Sequence, residues 1–437
     1  MLSFIGLAGG LALLIALAMR GVNLFIATPL CAAVVALTSG LPLLPAGDAV
    51  ATNDLVGTYM SGFSGFIASW FFMFLLGSIF GKLMEDSGAA ESVARWVIDR
   101  IGVRHAALAV VLACVVLTYG GVSLFVVAFS VYPTALSLFR AADLPRRFIP
   151  AALGFGSITI TMTAAGSPEI QNWIPIKFLK TSPWAAWEAS LVAAIVMALL
   201  GHWWLNRMLA NAKARGERFE AREDDPQVSR TDLPSPLLSL VPLALVLALS
   251  FALHETLHTG ALIVALFAGC VATAALGWRH LRMPGKALAD GSTGALVAIG
   301  NTAAVVGFGA VAKAAPAFAD TVAWITHLPG GGIVNAAIAV SLIAAMTGSA
   351  SGGQAIALPI LAPLYLGQGV SADQLHRSVA LASGALDAMP HNGYIVTTIR
   401  AICGETHKAA YWPMAAMTMA VPTLGLIVCL VCFSLGL

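Results

Sequence analysis

The sequence predicts an all-α polytopic membrane protein made of two inverted repeats, each with five helices and one re-entrant hairpin. Composition is the first observation: 59% of the residues are hydrophobic and only 10% charged, against about a quarter charged in soluble domains. The second is a pattern written twice. Residues 118–168 carry Thr-Tyr-Gly-Gly-Val-Ser, an apolar run ending at Pro133, then Arg147, Gly154 and Thr-Ala-Ala-Gly-Ser-Pro. Residues 347–393 carry Thr-Gly-Ser-Ala-Ser-Gly-Gly, an apolar run reaching Pro363, then Arg377, Gly384 and Asp-Ala-Met-Pro-His-Asn-Gly, at a shared offset of 230 residues. The third is the placement of basic residues, described below.

In chain order, spanning helices are expected at 2–19, 22–44, 61–84, 146–172 and 184–204, then at 234–252, 258–278, 292–313, 375–402 and 410–436. Runs such as 2–19, 22–44 and 234–252 lack charge and are long enough to cross about 30 Å of hydrocarbon. Residues 105–139 and 331–367 are apolar stretches broken near their middles, at Tyr119-Gly120-Gly121 and at Gly348 to Gly353. A single span needs only about 20 residues, so each reads as a re-entrant hairpin. Residues 85–104 and 314–328 read as interfacial amphipathic connectors. The repeats are then 1–204 and 234–437, joined by a solvated, cytoplasmic linker at 205–233.

With both termini outside, 19 of the 23 basic residues fall on the inner side; only Lys177, Lys180, Lys313 and Arg377 do not. This follows the positive-inside rule, and it requires the hairpins. Counting 105–139 as one crossing would move the basic linker to the other face. The first five helices therefore start outside and the next five inside, in a bacterial-type inner membrane.

Other classes are excluded or set aside. A net charge of +2 without a basic patch gives no reason to expect nucleic acid. The six cysteines (Cys31, Cys114, Cys270, Cys403, Cys429, Cys432) lie mostly within apolar runs and read as small buried hydrophobes, not disulfides or metal ligands. No cofactor is expected, and the lack of a nucleotide-binding motif argues against an ATP-driven pump. His254-Glu255-Thr256-Leu257-His258 matches a zinc-protease pattern, but it sits in a short connection without a third ligand nearby. An intramembrane metalloprotease is the distant alternative, and the chain is not expected to be an enzyme.

Breaking a helix inside a membrane frees backbone groups that only protein or a watered cavity can satisfy. It also places helix N-termini, which favour anions, at mid-membrane depth. Paired interruptions in two halves point to a transporter binding site. The segments 119–123, 163–172, 347–354 and 387–393 are expected to converge. Their candidate substrate-binding residues are Gly121, Ser123, Thr163, Gly166, Ser167, Gln171, Asn172, Ser349, Ser351, Gly353, Gln354 and Asn392. Asp387, His391 and Glu169 are the ionisable residues at the breaks and the candidates for proton coupling. No Arg or Lys lies well inside an expected span, so amides and hydroxyls must do most of any anion binding. Lys82 and Lys313 end matching helices and are expected to snorkel to the interface.

These motifs resemble a family. Gly348-Ser349-Ala350-Ser351-Gly352, Leu381-Ala382-Ser383-Gly384 and His391-Asn392-Gly393-Tyr394-Ile395-Val396 are similar to the second half of GntP-type gluconate:proton symporters. Gly77 to Gly88, with Lys82 inside it, is similar to that family's motif at the end of helix three. At the first break the family's His-Pro-Gly-Pro-Thr is replaced by Gly166-Ser167-Pro168-Glu169-Ile170-Gln171-Asn172, which implies an acid other than gluconate. The resemblance implies membership of the ion transporter superfamily, a homodimer, and a scaffold (helices 1–2 and 6–7) beside an elevator-type transport unit. The expected function is proton-coupled symport of a small hydroxy or sugar acid anion, with sodium coupling as the alternative.

Overall fold

The computed structural model describes residues 1–20, 22–45, 54–223, 225, 232–326, 331–390 and 392–437. Among them every regular element is helical. In chain order the helices are α1 (Leu2–Met19), α2 (Leu24–Ser39), α3 (Leu55–Asp86), α4 (Ala89–Ile101), α5 (Ala106–Tyr119), α6 (Leu124–Ala141), α7 (Ile149–Gly154), α8 (Ile174–Leu179) and α9 (Trp187–Ala214). There follow α10 (Pro236–Leu257), α11 (Gly260–Leu276), α12 (Pro284–Ala314), α13 (Pro316–Thr326), α14 (Gly331–Thr347) and α15 (Ala350–Gly367). The last are α16 (Ala372–Ala385), α17 (Gly393–Val396), α18 (His407–Ala415) and α19 (Val421–Ser434).

By length and composition six helices could cross a membrane unaided, or seven if α4 and the segment entering α5 count as one bent span. One of the six, α6, is the second arm of the expected first hairpin, so among the described residues five of the ten expected spans are met, for two reasons. Helices such as α2 and α11, with 16 and 17 residues, rise only about 24–26 Å at 1.5 Å per residue. The expected 146–172 and 375–402 spans are interrupted: α7 continues through a π turn at Phe155–Ile160 and stops, and α16 stops at Ala385.

Helices α9 and α10 overrun their expected ends, and α3 and α12 start earlier than expected. Asp54 caps α3 by accepting from the Gly57 amide at 2.8 Å, and α12 starts at Pro284, where the missing N–H costs nothing. These two pack along one another; α2 and α11 lie against them, with α1 packed on α2 and α10 on α11. The second group comprises α5–α9 and α14–α19, with α12 touching α15 and α3 touching α6 across the divide. Between the groups run α4 and α13. Helix α4 buries Ala90, Val93, Ala94 and Val97 at helical spacing and meets the next helical segment at 103°. The apolar pairs α5/α6 and α14/α15 are the hairpins, turning at 120–123 and 348–349.

The linker departs from expectation. It does not float: Asp225 and Glu405 are nearly buried around Arg146, which bonds Asp225 at 2.8 Å and Glu405 at 3.2 Å. The Tyr132 hydroxyl accepts from Arg146 at 3.1 Å. Arg140 adds a second contact to Asp225, and Arg222 a second to Glu405. Arg147 grips Glu217 with two nitrogens, at 2.6 and 3.0 Å. The described part of the linker is thereby fastened to the start of the broken helix and to the loop before α18.

Arg146→Ala strands two nearly buried carboxylates, each keeping one other arginine, so a loss of about 3 kcal/mol is expected in thermal or denaturant unfolding in detergent. Hydrogen bonding from Arg147 holds the Glu217 carboxyl below its ordinary value. Burial pushes Asp225 up, but the Arg222 amide and Arg146 outweigh it and hold that group low as well. Both contributions are therefore complete above the ordinary carboxylate range, near pH 4, and lost as pH falls through the lower folded values. A melting temperature flat from pH 7 to 5 and falling below about 4 is the expected profile.

Candidate functional site

At the first hairpin tip Gly121 takes φ +94°, a conformation that favours glycine, and Ser123 leads into α6. The Tyr119 hydroxyl donates to the Ala165 carbonyl at 2.6 Å, joining the tip to the first helix break. That break runs from Thr161 to Glu169. Gly166, at φ +76°, donates its amide to the Pro183 carbonyl, and a side chain there would meet the Trp184 ring at 2.3 Å. The Ser167 carbonyl accepts from Asn172 Nδ2 and Trp173 Nε1 at 3.1 and 3.0 Å.

The freed carbonyls of this break meet a residue from the other half. Arg377 on α16 is fully buried. Its guanidinium donates to the carbonyls of Thr163, Pro183 and Ala185 and to Asn172 Oδ1, at 2.6–3.1 Å. It has no carboxylate partner among the described residues; carbonyl dipoles surround the charge. Arg377 thus lies near the start of the expected 375–402 span, as the sequence placed it, but is buried within the protein. Arg377 was assigned to the outer surface from its place near a helix start, but α16 begins at Ala372 and its second turn is enclosed by the first break.

The second break, at 386–392, is held from within. Asn392 Oδ1 accepts from the amides of Tyr394 and Ile395, capping α17. Its Nδ2 donates to the Gly348 and Asp387 carbonyls at 3.0 and 3.1 Å, tying the second hairpin tip to the break. Ser349 caps α15 by accepting from the Gly352 amide. Gln354 Nε2 bridges the Gln171 carbonyl and the Ser383 hydroxyl, both at 2.9 Å.

All four segments border one cavity of about 640 Å³. Gly121 and Ser123 come from the first tip, Pro168 to Gln171 from the first break, Gly348 to Ser351 from the second tip, and Asp387 with Asn392 to Tyr394 from the second break. Met73, Phe74, Gly77 and Ser78 lie on the α3 side with Lys82; Thr293, Asn301 and Thr302 lie on the α12 side. Asp387 is 4% exposed, and its Oδ1 has no hydrogen-bond partner among the described residues.

The cavity thus brings together Gly121, Ser123, Glu169, Gln171, Ser349, Ser351, Asp387 and Asn392. Thr163, Gly166, Ser167, Asn172, Gly353 and Gln354 do not border it. The polar groups just described on five of them are engaged in holding the breaks, and Gly353 packs against the backbone of Ala344. His391 lies outside the described residues. Lys82 does not simply reach for the interface. It borders the cavity, with Nζ 2.7 Å from Glu85 and 5.9 Å from the Phe129 ring centroid. Sequence reasoning passed over Asn301 and Thr302; a polar pair inside an otherwise apolar span was the available signal. The zinc-protease pattern loses its geometry, because α10 ends at Leu257 and His258 lies beyond it at φ +49°. The two histidines therefore do not share a helical face.

An all-helical, multi-span chain whose interrupted helices and hairpin tips enclose one cavity has the makings of a membrane transporter, and the relatives agree. The profile of the GntP family permeases matches residues 2–435. The chain belongs to the GntP permease family. YxjC of Bacillus subtilis (strain 168), described as an uncharacterized transporter, is 36% identical over 455 aligned positions, 94% of either chain. Among solved structures, the YdaH transporter of Alcanivorax borkumensis superposes with a TM-score of 0.56 at 15% identity, covering 94% of this chain and 97% of that one. MtrF of Neisseria gonorrhoeae, described within a class of antimetabolite efflux pumps, gives 0.52 at 15% identity, covering 95% and 94%. At that identity the likeness concerns the fold.

The packing of the second hairpin generates a test. A methyl group on Gly353 would sit 2.7 Å from Ala344 Cα, whereas one on Gly367, in the same helix, meets nothing within 4 Å. Gly353→Ala should lower stability by about 1–3 kcal/mol, and Gly367→Ala should not. Thermal unfolding of the two variants in detergent checks this.

Proposed function

We propose that this protein is a secondary active transporter that carries a small hydroxy or sugar acid anion into the cell together with protons, by alternating access. The observation that carries the reading is the convergence of four chain interruptions, two from each half, on one cavity that also holds the Asp387 carboxyl. Its volume of about 640 Å³ falls within the range of small-molecule sites. Ser123, Ser349, Ser351 and Gln171 offer hydroxyls and an amide to the substrate. The N-termini of α6 and α15 offer backbone amides to its carboxylate. Asp387 and Glu169, with His391, carry the coupling protons, and Asn392 shapes the second tip.

The same reading places two inverted repeats, 1–204 and 234–437, in a bacterial inner membrane with ten crossings, two re-entrant hairpins and both termini outside. The group α1–α3 with α10–α12 serves as scaffold and dimer base. The group of hairpins and broken helices moves as an elevator on the arms α4 and α13. Helices α3 and α12, the third and eighth spans, thus join the scaffold. Lys82 then lies at the cytoplasmic end of the cavity.

Uptake of radiolabelled gluconate, 3-hydroxybutyrate, lactate and citrate into proteoliposomes tests this, under an inward proton gradient, an inward sodium gradient, or neither. Accumulation of a singly charged hydroxy acid under the proton gradient alone is expected. Dependence on sodium would move Asp387 from proton carrier to cation ligand. Asp387→Asn should abolish accumulation, by 100-fold or more in initial rate under the gradient, while preserving substrate exchange. Accumulation at the wild-type level in that variant would remove Asp387 from the coupling.

A further inference from the structure

Among the described residues the charges around the cavity do not balance. Glu169 and Asp387 border it from opposite breaks, and neither pairs with a cation among the described residues. Lys82 alone brings a positive side chain to it among those residues, and Glu85 already neutralises that side chain at 2.7 Å. Arg377 does not border the cavity, and its donors are directed at carbonyls. The remaining titratable groups nearby are neutral phenols: Tyr394 on α17, at the cavity wall, and Tyr119 on α5, bonded to the Ala165 carbonyl. His391, next to the second break, lies outside the described residues.

Two helix N-termini supply roughly half a positive charge each, so two ionised carboxylates outweigh them by about one unit before any substrate arrives. An anion would then meet a net negative wall. Like charges sharing one partly desolvated cavity repel, and each such pair lowers occupancy on the order of tenfold or more. Neutralising one carboxylate leaves the cavity repulsive once the anion is in. Neutralising both leaves the helix termini to balance a single negative charge.

We infer that Glu169 and Asp387 must both be protonated in the loaded state, so that each singly charged substrate travels with two protons and one net positive charge enters per cycle. This rests on the proposed symport and specifies its stoichiometry. No bond to the substrate changes. Two protons bind from the outer solution, one on each carboxylate, and leave to the inner solution after the anion. Transport is then driven by membrane potential even without a pH gradient, and Glu169 becomes a coupling residue in its own right.

The test uses full-length protein in proteoliposomes with valinomycin-set potassium potentials, equal pH on both sides and no sodium. The probes are radiolabelled gluconate, 3-hydroxybutyrate and lactate. For wild type, accumulation of whichever acid is transported should rise tenfold for every 59 mV or so of inside-negative potential. Glu169→Gln should remove that dependence while leaving accumulation driven by a pH gradient, and Glu169→Asp should restore it. Accumulation by wild type that ignores the potential overturns the two-proton count while leaving symport standing. An unchanged voltage slope in Glu169→Gln removes Glu169 from it. No uptake of any of these acids overturns the symport reading, and the stoichiometry with it. Should Glu169→Gln fail to insert, the wild-type voltage dependence alone decides.

Discussion

A helix that stops within an apolar surrounding must find partners for the backbone groups it releases, and here polar side chains supply them. From the opposite half of the chain, Arg377 closes the Thr163 carbonyl of the first interruption and the Pro183 and Ala185 carbonyls of the loop before α9. Asn172 and Gln354 complete that seal, while Asn392 does the same for the second interruption. An unsatisfied buried donor or acceptor costs about 1–3 kcal/mol, so these few amides and one guanidinium make the interruptions affordable. With the interruptions in place, the hairpin tips have fixed positions to meet and a cavity between them.

The seals also divide the labour among polar residues. Glycine, serine, asparagine and glutamine near a break look alike in a sequence, since each is small or amide-bearing and out of place in hydrocarbon. The coordinates separate them by whether their hydrogen-bonding capacity is already taken. Asn172 is fully used and buried; Ser123 and Gln171 still border open volume. The doubled punctuation at an offset of 230 residues marked the four segments that border the cavity. It could not assign roles, because whether a group faces inward or outward depends on residues almost two hundred positions away.

Much of the architecture was legible for a related reason. Apolar runs, proline stops and glycine turns act locally, so α1, α4, α5 and α9 lie within a few residues of where periodicity and hydropathy put them, apart from the extension of α9 to Ala214. The burial of Arg377 was not legible because positive charge is ordinarily a marker of the membrane surface, and only the fold reveals a cage of carbonyls. Nor was the linker's anchoring legible: its mixture of acids and bases suggests a solvated linker, and Arg146 and Arg147 lie where they can gather its carboxylates.

The reach of Arg377 has a consequence for how the chain is made. Its bond to the Ala185 carbonyl joins residues 192 positions apart. At about 5–20 residues per second, the first interruption leaves the ribosome roughly 10–40 s before the side chain that closes it exists. For that interval the carbonyls of Thr163, Pro183 and Ala185 lack their final partner, and water or the insertion machinery must shelter them. Biogenesis of this protein therefore includes an open waiting state, and the second half serves as the first half's last-arriving folding partner.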